Sequence, residues 1–256
     1  MRGLIADPIN PDRSQQIHNL DATLDCASGH LKDQRSIGSG AVWIQAHRSL
    51  GYTRILAPTP PVPMTTTAPP RHYTPAQYFA LEQTAEHRSE YHHGAIIPLT
   101  GGTLNHNRIA GNLFALLKAA LRGTGASAFI GDLRVSIPSH DRYTYPDVLM
   151  IQGDPQFLDD RTDTILNPSV IIEVLSKSTQ NYDRGDKFLA YRSIPSLQEY
   201  ILIDQYQIHL EQLSKLDDRN WNLRTYTAPE PTLTFTSLDL AIAIADLYED
   251  VTFPAP

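Results

Sequence analysis

The sequence predicts an α/β domain with a mixed central β-sheet flanked by helices, preceded by an irregular N-terminal leader. Three observations carry this. Two short apolar runs rich in β-branched residues, 145–151 and 169–175, have the pattern of strands covered on both faces. The stretch 105–122 places Ile109, Leu113, Leu116, Leu117 and Leu121 on one helical face and stops at Gly123. After the second run come a helix and two further strand patterns, the alternation of an α/β domain.

Residues 1–71 show little periodicity. They end in a proline- and threonine-rich tract, 57–70, which favours extended, unpaired backbone and builds no core. A short strand at 41–44 has nothing to pair with. Met64 stands just ahead of the first well-formed element, which points to translation starting there. The folded domain is expected over 72–251. It opens with Thr74 as N-cap, Pro75 at the first helical position and Gln77 three residues after the cap. This helix fades by 87–89. Residues 90–99 read as a hairpin turning at Gly94, and 126–130 and 133–137 as two β segments around Gly131-Asp132. Residues 180–192 form a helix closed by Ile194-Pro195. Residues 199–203 and 207–213 make a hairpin, 221–227 an outer strand and 238–247 a closing helix.

With 256 residues, 41% of them hydrophobic, the chain can bury a sizeable core. A net charge of −7 argues against a polybasic grip on nucleic acid but leaves room for a locally basic cleft. The single cysteine, Cys26, excludes an internal disulfide framework and an all-cysteine zinc site. No apolar run is long enough to cross a bilayer, so a cytoplasmic protein is expected.

Each of the two apolar strands carries one acid, Asp147 and Glu173. A carboxylate buried there costs several kcal/mol unless a cation lies beside it. A shared metal ion is the obvious partner, with Lys187 from the following helix as a second positive group. Asp183, Lys187 and Tyr191, at i, i+4 and i+8, share one face of that helix. Plainer roles compete: Asp147 bracing the turn after Pro146, Glu173 pairing with an arginine such as Arg134, His106 bonding locally at its helix start, and Tyr191 sitting in the core. His92-His93 is a poor zinc site, because neighbouring strand residues point to opposite faces and a third ligand is missing. Ser176 and Ser178 lack a histidine and acid in a nucleophile arrangement.

Taken in order, Pro146-Asp147, Glu173-Val174-Leu175-Ser176, Asp183, Lys187 and Tyr191 resemble the Uma2 family, also called DUF820, of the PD-(D/E)XK nuclease superfamily. The likeness runs over about 73–250 and includes Arg88-Ser89-Glu90-Tyr91 with the following Gly94, and Asn105-His106-Asn107. It implies a restriction-endonuclease-like core presenting two acids on adjacent strands. Asp147 matches the acid after the proline, Glu173 the second acid, and Glu90 an early glutamate that lies near the metal in many relatives. It further implies Mg²⁺ or Mn²⁺ held by Asp147, Glu173, the Val174 carbonyl and Glu90, hydrolysis of DNA, and a homodimer by analogy. One departure stands out: Leu175 occupies the superfamily's usual lysine position. Lys187, 187 − 173 = 14 residues after Glu173, is the expected replacement, with Lys177 as its competitor. A catalytically inactive module for nucleic-acid binding or self-association, and an enzyme acting on RNA or another phosphate ester, remain as alternatives.

Overall fold

The computed structural model describes residues 71–253. The leader, the 41–44 strand and the Met64 start lie outside the described residues. Within them, no helix is long and apolar enough to cross a membrane.

The first elements follow their local chemistry closely. Helix α1 (Pro75–Glu82) begins with a complete capping box: Thr74 Oγ1 accepts the Gln77 N–H, and Gln77 Oε1 accepts the Thr74 N–H at 2.8 Å. Strands β1 (Ser89–His92) and β2 (Ala95–Pro98) pair antiparallel around His93-Gly94. Both turn residues take positive φ, 45° and 84°, as a two-residue hairpin demands. Glycine is required for a second reason: a Cβ at position 94 would stand 2.3 Å from the His72 ring. Helix α2 (Leu104–Ala120) buries Ile109, Leu113 and Leu117 completely. Each such side chain contributes roughly 2 kcal/mol of transfer free energy.

Next come β3 (Ala126–Ile130), β4 (Arg134–Ile137), β5 (Arg142–Thr144), β6 (Val148–Gln152), β7 (Thr164–Ile165) and β8 (Val170–Leu175). The helix expected at 180–192 is present but not uniform. One turn of α3 (Gln180–Tyr182) widens into a π turn, Asp183–Lys187, and closes as α4 (Phe188–Tyr191). Strands β9 (Glu199–Asp204), β10 (His209–Lys215) and β11 (Trp221–Thr227) follow as a meander. The closing segment differs from expectation. Its first part pairs as strand β13 (Ala241–Ala243) with β12 (Thr232–Thr234), and only Ile244–Leu247 is helical, as α5. Apolar content there was read as a helix, whereas pairing with a strand earlier in the chain sets its conformation.

The strands form two main sheets rather than one. The larger has the order β11-β10-β9-β8-β6-β3 and is mixed, since β8 runs parallel to β9 and antiparallel to β6. The smaller has the order β2-β1-β5-β4-β7. The chain passes between them at Gly131-Asp132 and again at Tyr145-Pro146-Asp147, and the two crossings are tied by the Gly131 N–H donating to the Asp147 carbonyl at 2.9 Å. Strand β8 is buried along its whole length, with Ile172 and Val174 packed on the α2 side and Ile171 and Leu175 on the side of Tyr191 and Tyr200. The period of two therefore puts Glu173 on the second face, under the π turn.

Candidate active site

Asp147 does not lie within a strand, as the sequence pattern implied; it is the last residue of the second crossing, just before β6 begins at Val148. Pro146 has no N–H for a ladder and holds Tyr145 extended, so regular pairing does not run back through the crossing. The acid still adjoins Glu173, because Val148 pairs with Ile172 across β6 and β8. Asp147 Oδ2 accepts the Val174 N–H at 2.7 Å, while the Asp147 N–H reaches Glu173 Oε2 at 3.3 Å.

Glu173 is buried and fully engaged on one oxygen. Its Oε1 accepts from Lys187 Nζ and from the Tyr191 hydroxyl, both at 3.0 Å. Lys187 also stands 3.5 Å from Glu90 Oε1 and 3.4 Å from Asp183 Oδ1, so its three N–H bonds face three carboxylates. Glu90, on β1 of the smaller sheet, reaches the cluster from the opposite side and accepts the Tyr145 N–H at 3.4 Å. Glu90, Glu173 and Asp183 are each 3% exposed and Lys187 is 7% exposed.

The π turn explains how the lysine arrives. A wider turn carries the helix over Glu173 with both Asp183 and Lys187 buried toward it. Leu175 projects to the same face two residues beyond Glu173, but packs into the apolar cluster with Tyr191 and Tyr200. Lys177, its competitor in sequence, lies past the end of β8, exposed, with Nζ 5.3 Å from the centre of the Tyr206 ring. Arg134 is not the partner of Glu173. It is buried among Tyr78, Tyr145, Thr164, Asp163 and Glu82.

The electrostatics follow from crowding. Burial, opposed by Lys187 but reinforced by Asp147, Asp183 and Glu90, pushes the Glu173 carboxyl up to about 8. Burial works against the Lys187 charge, yet Glu173, Glu90 and Asp183 outweigh it and hold the ammonium protonated well above its usual range. Burial and the Glu173 charge likewise keep the Tyr191 phenol protonated, which secures it as a donor.

Two contributors do more than the plainer roles the sequence suggests for them. His106, in the first turn of α2, brings Nε2 to 3.1 Å from Asp147 Oδ2. Burial lowers its pKa, but the hydrogen bond and charge of Asp147 prevail and raise it. Tyr191 is in the core, as read, but also braces Glu173 and contacts Thr144 Oγ1 at 3.0 Å. The helical spacing from Lys187 to Tyr191 was visible; nothing local tied His106 to an acid 41 positions away. Glu90, His106, Asp147, Glu173, Asp183 and Lys187 line a cleft of about 490 Å³ whose wall is completed by residues 97–103 and 176–179. Acids, a cation and open space converge there, the makings of proton transfer or of cation and phosphate binding.

The chain is similar to known proteins. The family model described as "Uma2: Putative restriction endonuclease" matches residues 75–245. The chain is 38% identical over 167 residues to the uncharacterized protein sll1609 of Synechocystis sp., covering 65% of this chain and 94% of that one. It is 33% identical over 189 residues to the uncharacterized protein slr1290 of the same organism, covering 73% and 97%. The fold is similar to the crystal structure of "a putative nuclease belonging to DUF820" from Anabaena variabilis, with a TM-score of 0.57 and 20% identity, covering 69% of this chain and 97% of that one.

Proposed function

The chain belongs to the Uma2 family, and from that premise we propose that it is a metal-dependent endonuclease hydrolysing phosphodiester bonds of DNA in the cleft around Asp147 and Glu173. The observation that carries this reading is the convergence of Glu90, Glu173 and Asp183 on a single lysine, with Asp147 beside Glu173, at the wall of an open cleft. Three acids facing one ammonium leave the cluster short of positive charge.

Among the described residues no three of His, Cys, Asp and Glu are grouped as a ready-made ion cage. The donor set nonetheless fits Mg²⁺ or Mn²⁺, since hard cations take oxygen ligands and only one or two protein carboxylates for Mg²⁺. Asp147 Oδ1 receives no hydrogen bond from the described residues, and Glu173 Oε2 receives only the long one from the Asp147 N–H. The Val174 carbonyl points to the same strand edge as its N–H, which is toward Asp147. Asp147, Glu173 and Val174 would hold the ion, with Glu90 beside them. When bound, the ion supplies a more acidic water and charge neutralisation for the phosphate.

The protein's own groups do the rest. Val174 N–H holds Asp147, and Tyr191 holds Glu173. Lys187, kept protonated, is the group for the anionic phosphate, reached by exchanging one of its three carboxylate contacts. Two such clusters would be needed to cut both strands of a duplex, so the proposal includes a twofold dimer.

Purified protein with Mg²⁺ or Mn²⁺ should nick or linearise plasmid DNA, and Glu173→Ala should abolish this while keeping the fold. Wild type inert on DNA across both metals would remove the DNA reading, and cleavage of RNA alone would move the proposal to that substrate. The burial of Leu175 at the customary lysine position favours one second reading, a nuclease fold retained without catalysis for nucleic-acid binding or self-association. Calorimetric titration with Mn²⁺ separates the two, since a decayed site takes up no ion.

A further inference from the structure

The loop ahead of α2, Gly101-Gly102-Thr103, is shaped around the ring of His106. Thr103 caps the helix by accepting the His106 N–H at 3.2 Å, which fixes the backbone from which the ring projects. Gly102 lies against the ring's other edge: a Cβ built there would stand 2.8 Å from Nδ1 and 3.1 Å from Cγ. Its φ is not positive, so the backbone itself would accept alanine, and only the imidazole stands in the way. Held on these two sides, the ring directs Nε2 to Asp147 Oδ2 at 3.1 Å. A carboxylate only accepts, so Nε2 carries the proton of that bond. The same Oδ2 takes the Val174 N–H at 2.7 Å. Oδ2 is thereby gripped from α2 and from β8 together.

We propose that His106 is the positioning residue for Asp147, clamping Oδ2 so that Oδ1 is presented to the cleft, and that position 102 is glycine to seat the imidazole. This rests on reading Asp147 as an ion-holding residue and adds a requirement to it: the carboxylate must be oriented before it can serve. Outer hydrogen-bond partners of ligating carboxylates typically change metal affinity or activity by about 10–100-fold.

The test is Mn²⁺ titration calorimetry on the full chain, with thermal melts alongside. His106→Ala and Gly102→Ala are expected to weaken Mn²⁺ binding by about 10–100-fold. His106→Gln, whose amide nitrogen matches the reach of Nε2, should restore it; His106→Asn, whose nitrogen matches Nδ1, should not. A packing role alone would lower the melting temperature and leave affinity unchanged. Wild-type affinity in folded His106→Ala overturns the proposal and leaves the site reading intact. If His106→Ala does not fold, wild-type affinity in Gly102→Ala has the same force. No Mn²⁺ binding by the wild type overturns the site reading and this proposal with it.

Discussion

Lys187 Nζ stands 3.0 Å from Glu173 Oε1, and the two residues approach from a π turn and a fully buried strand. Removing the lysine while keeping its bulk, as in Lys187→Met, leaves Glu90, Glu173 and Asp183 facing each other in a dry site. Breaking a buried pair this way costs about 3–5 kcal/mol. Protonation of Glu173 relieves the repulsion. Its folded-state pKa, raised by burial and by the neighbouring acids, lies above the unfolded one, so the stability it contributes is present at acid pH and lost as pH rises. Urea unfolding at pH 5 and pH 8 should show the variant's deficit growing with pH. A deficit independent of pH would mean that Lys187 acts through packing alone.

Glu173→Gln should separate stability from activity. Gln Oε1 can still accept from Lys187 and Tyr191, and the change sacrifices only the 3.3 Å bond from the Asp147 N–H. The wild-type carboxyl, raised from 4.5 to about 8, contributes stability fully below pH 4.5 and loses it as pH climbs through about 8. The amide cannot ionise. Its melting temperature relative to wild type should therefore rise between pH 5 and pH 8, while cleavage and Mn²⁺ binding fall below detection. A relative melting temperature that does not rise between pH 5 and pH 8 would contradict the crowding of charge around Glu173.

The same shift predicts proton release on ion uptake. Below about pH 8 Glu173 carries a proton that an oxygen-bound cation must displace, because ligating carboxylates are ionised. Titrations with Mn²⁺ at pH 6.5 in buffers of different ionisation enthalpy should report close to one proton released per ion, declining toward zero above pH 8. Affinity should rise over the same interval. Release that does not vary with pH would place the displaced proton elsewhere.

Much of this was legible along the chain. The Thr74-Pro75-Gln77 cap, the Gly94 hairpin and the α2 stripe depend on neighbours within a few residues, and each was readable as it stands. Asp147, Glu173, Lys187 and Glu90 were named from pattern and resemblance, and the structure brings all four together. What stayed hidden depends on distant partners: the division into two sheets, the crossing that places Asp147 before β6 rather than in it, the β12–β13 pairing and the His106 contact. The π turn was also invisible, since Asp183 and Lys187 keep an i, i+4 separation under either winding.

Lys177 provides a contrast with Lys187. It is exposed at the cleft's edge, beyond the strand that holds Glu173, and touches none of the acids. Lys177→Ala should leave melting temperature and Mn²⁺ affinity unchanged. If its ammonium meets the DNA backbone, KM should rise with little change in kcat and the salt dependence should weaken by about one phosphate contact. Loss of kcat comparable to that of a Lys187 variant would reverse the assignment of the two lysines.

Arg134 marks where a charged cluster is architecture rather than chemistry. Its guanidinium bonds the Tyr78 and Tyr145 hydroxyls and Thr164 Oγ1, pairs with Glu82 and Asp163, and is 4% exposed. These contacts join α1 to β4, β7 and the crossing that leads to Asp147. Arg134→Met leaves Glu82 and the two tyrosines without their shared donor, a loss of about 3–5 kcal/mol by the same reasoning as for any broken buried pair. Lysine cannot repair it, having one nitrogen where the planar fork of arginine serves several acceptors. Chemical denaturation should show nearly equal losses for the methionine and lysine variants. Mn²⁺ affinity per folded molecule should stay at the wild-type value, because no bond of Arg134 reaches Asp147 or Glu173. A fall in affinity without a fall in stability would place Arg134 in the site after all.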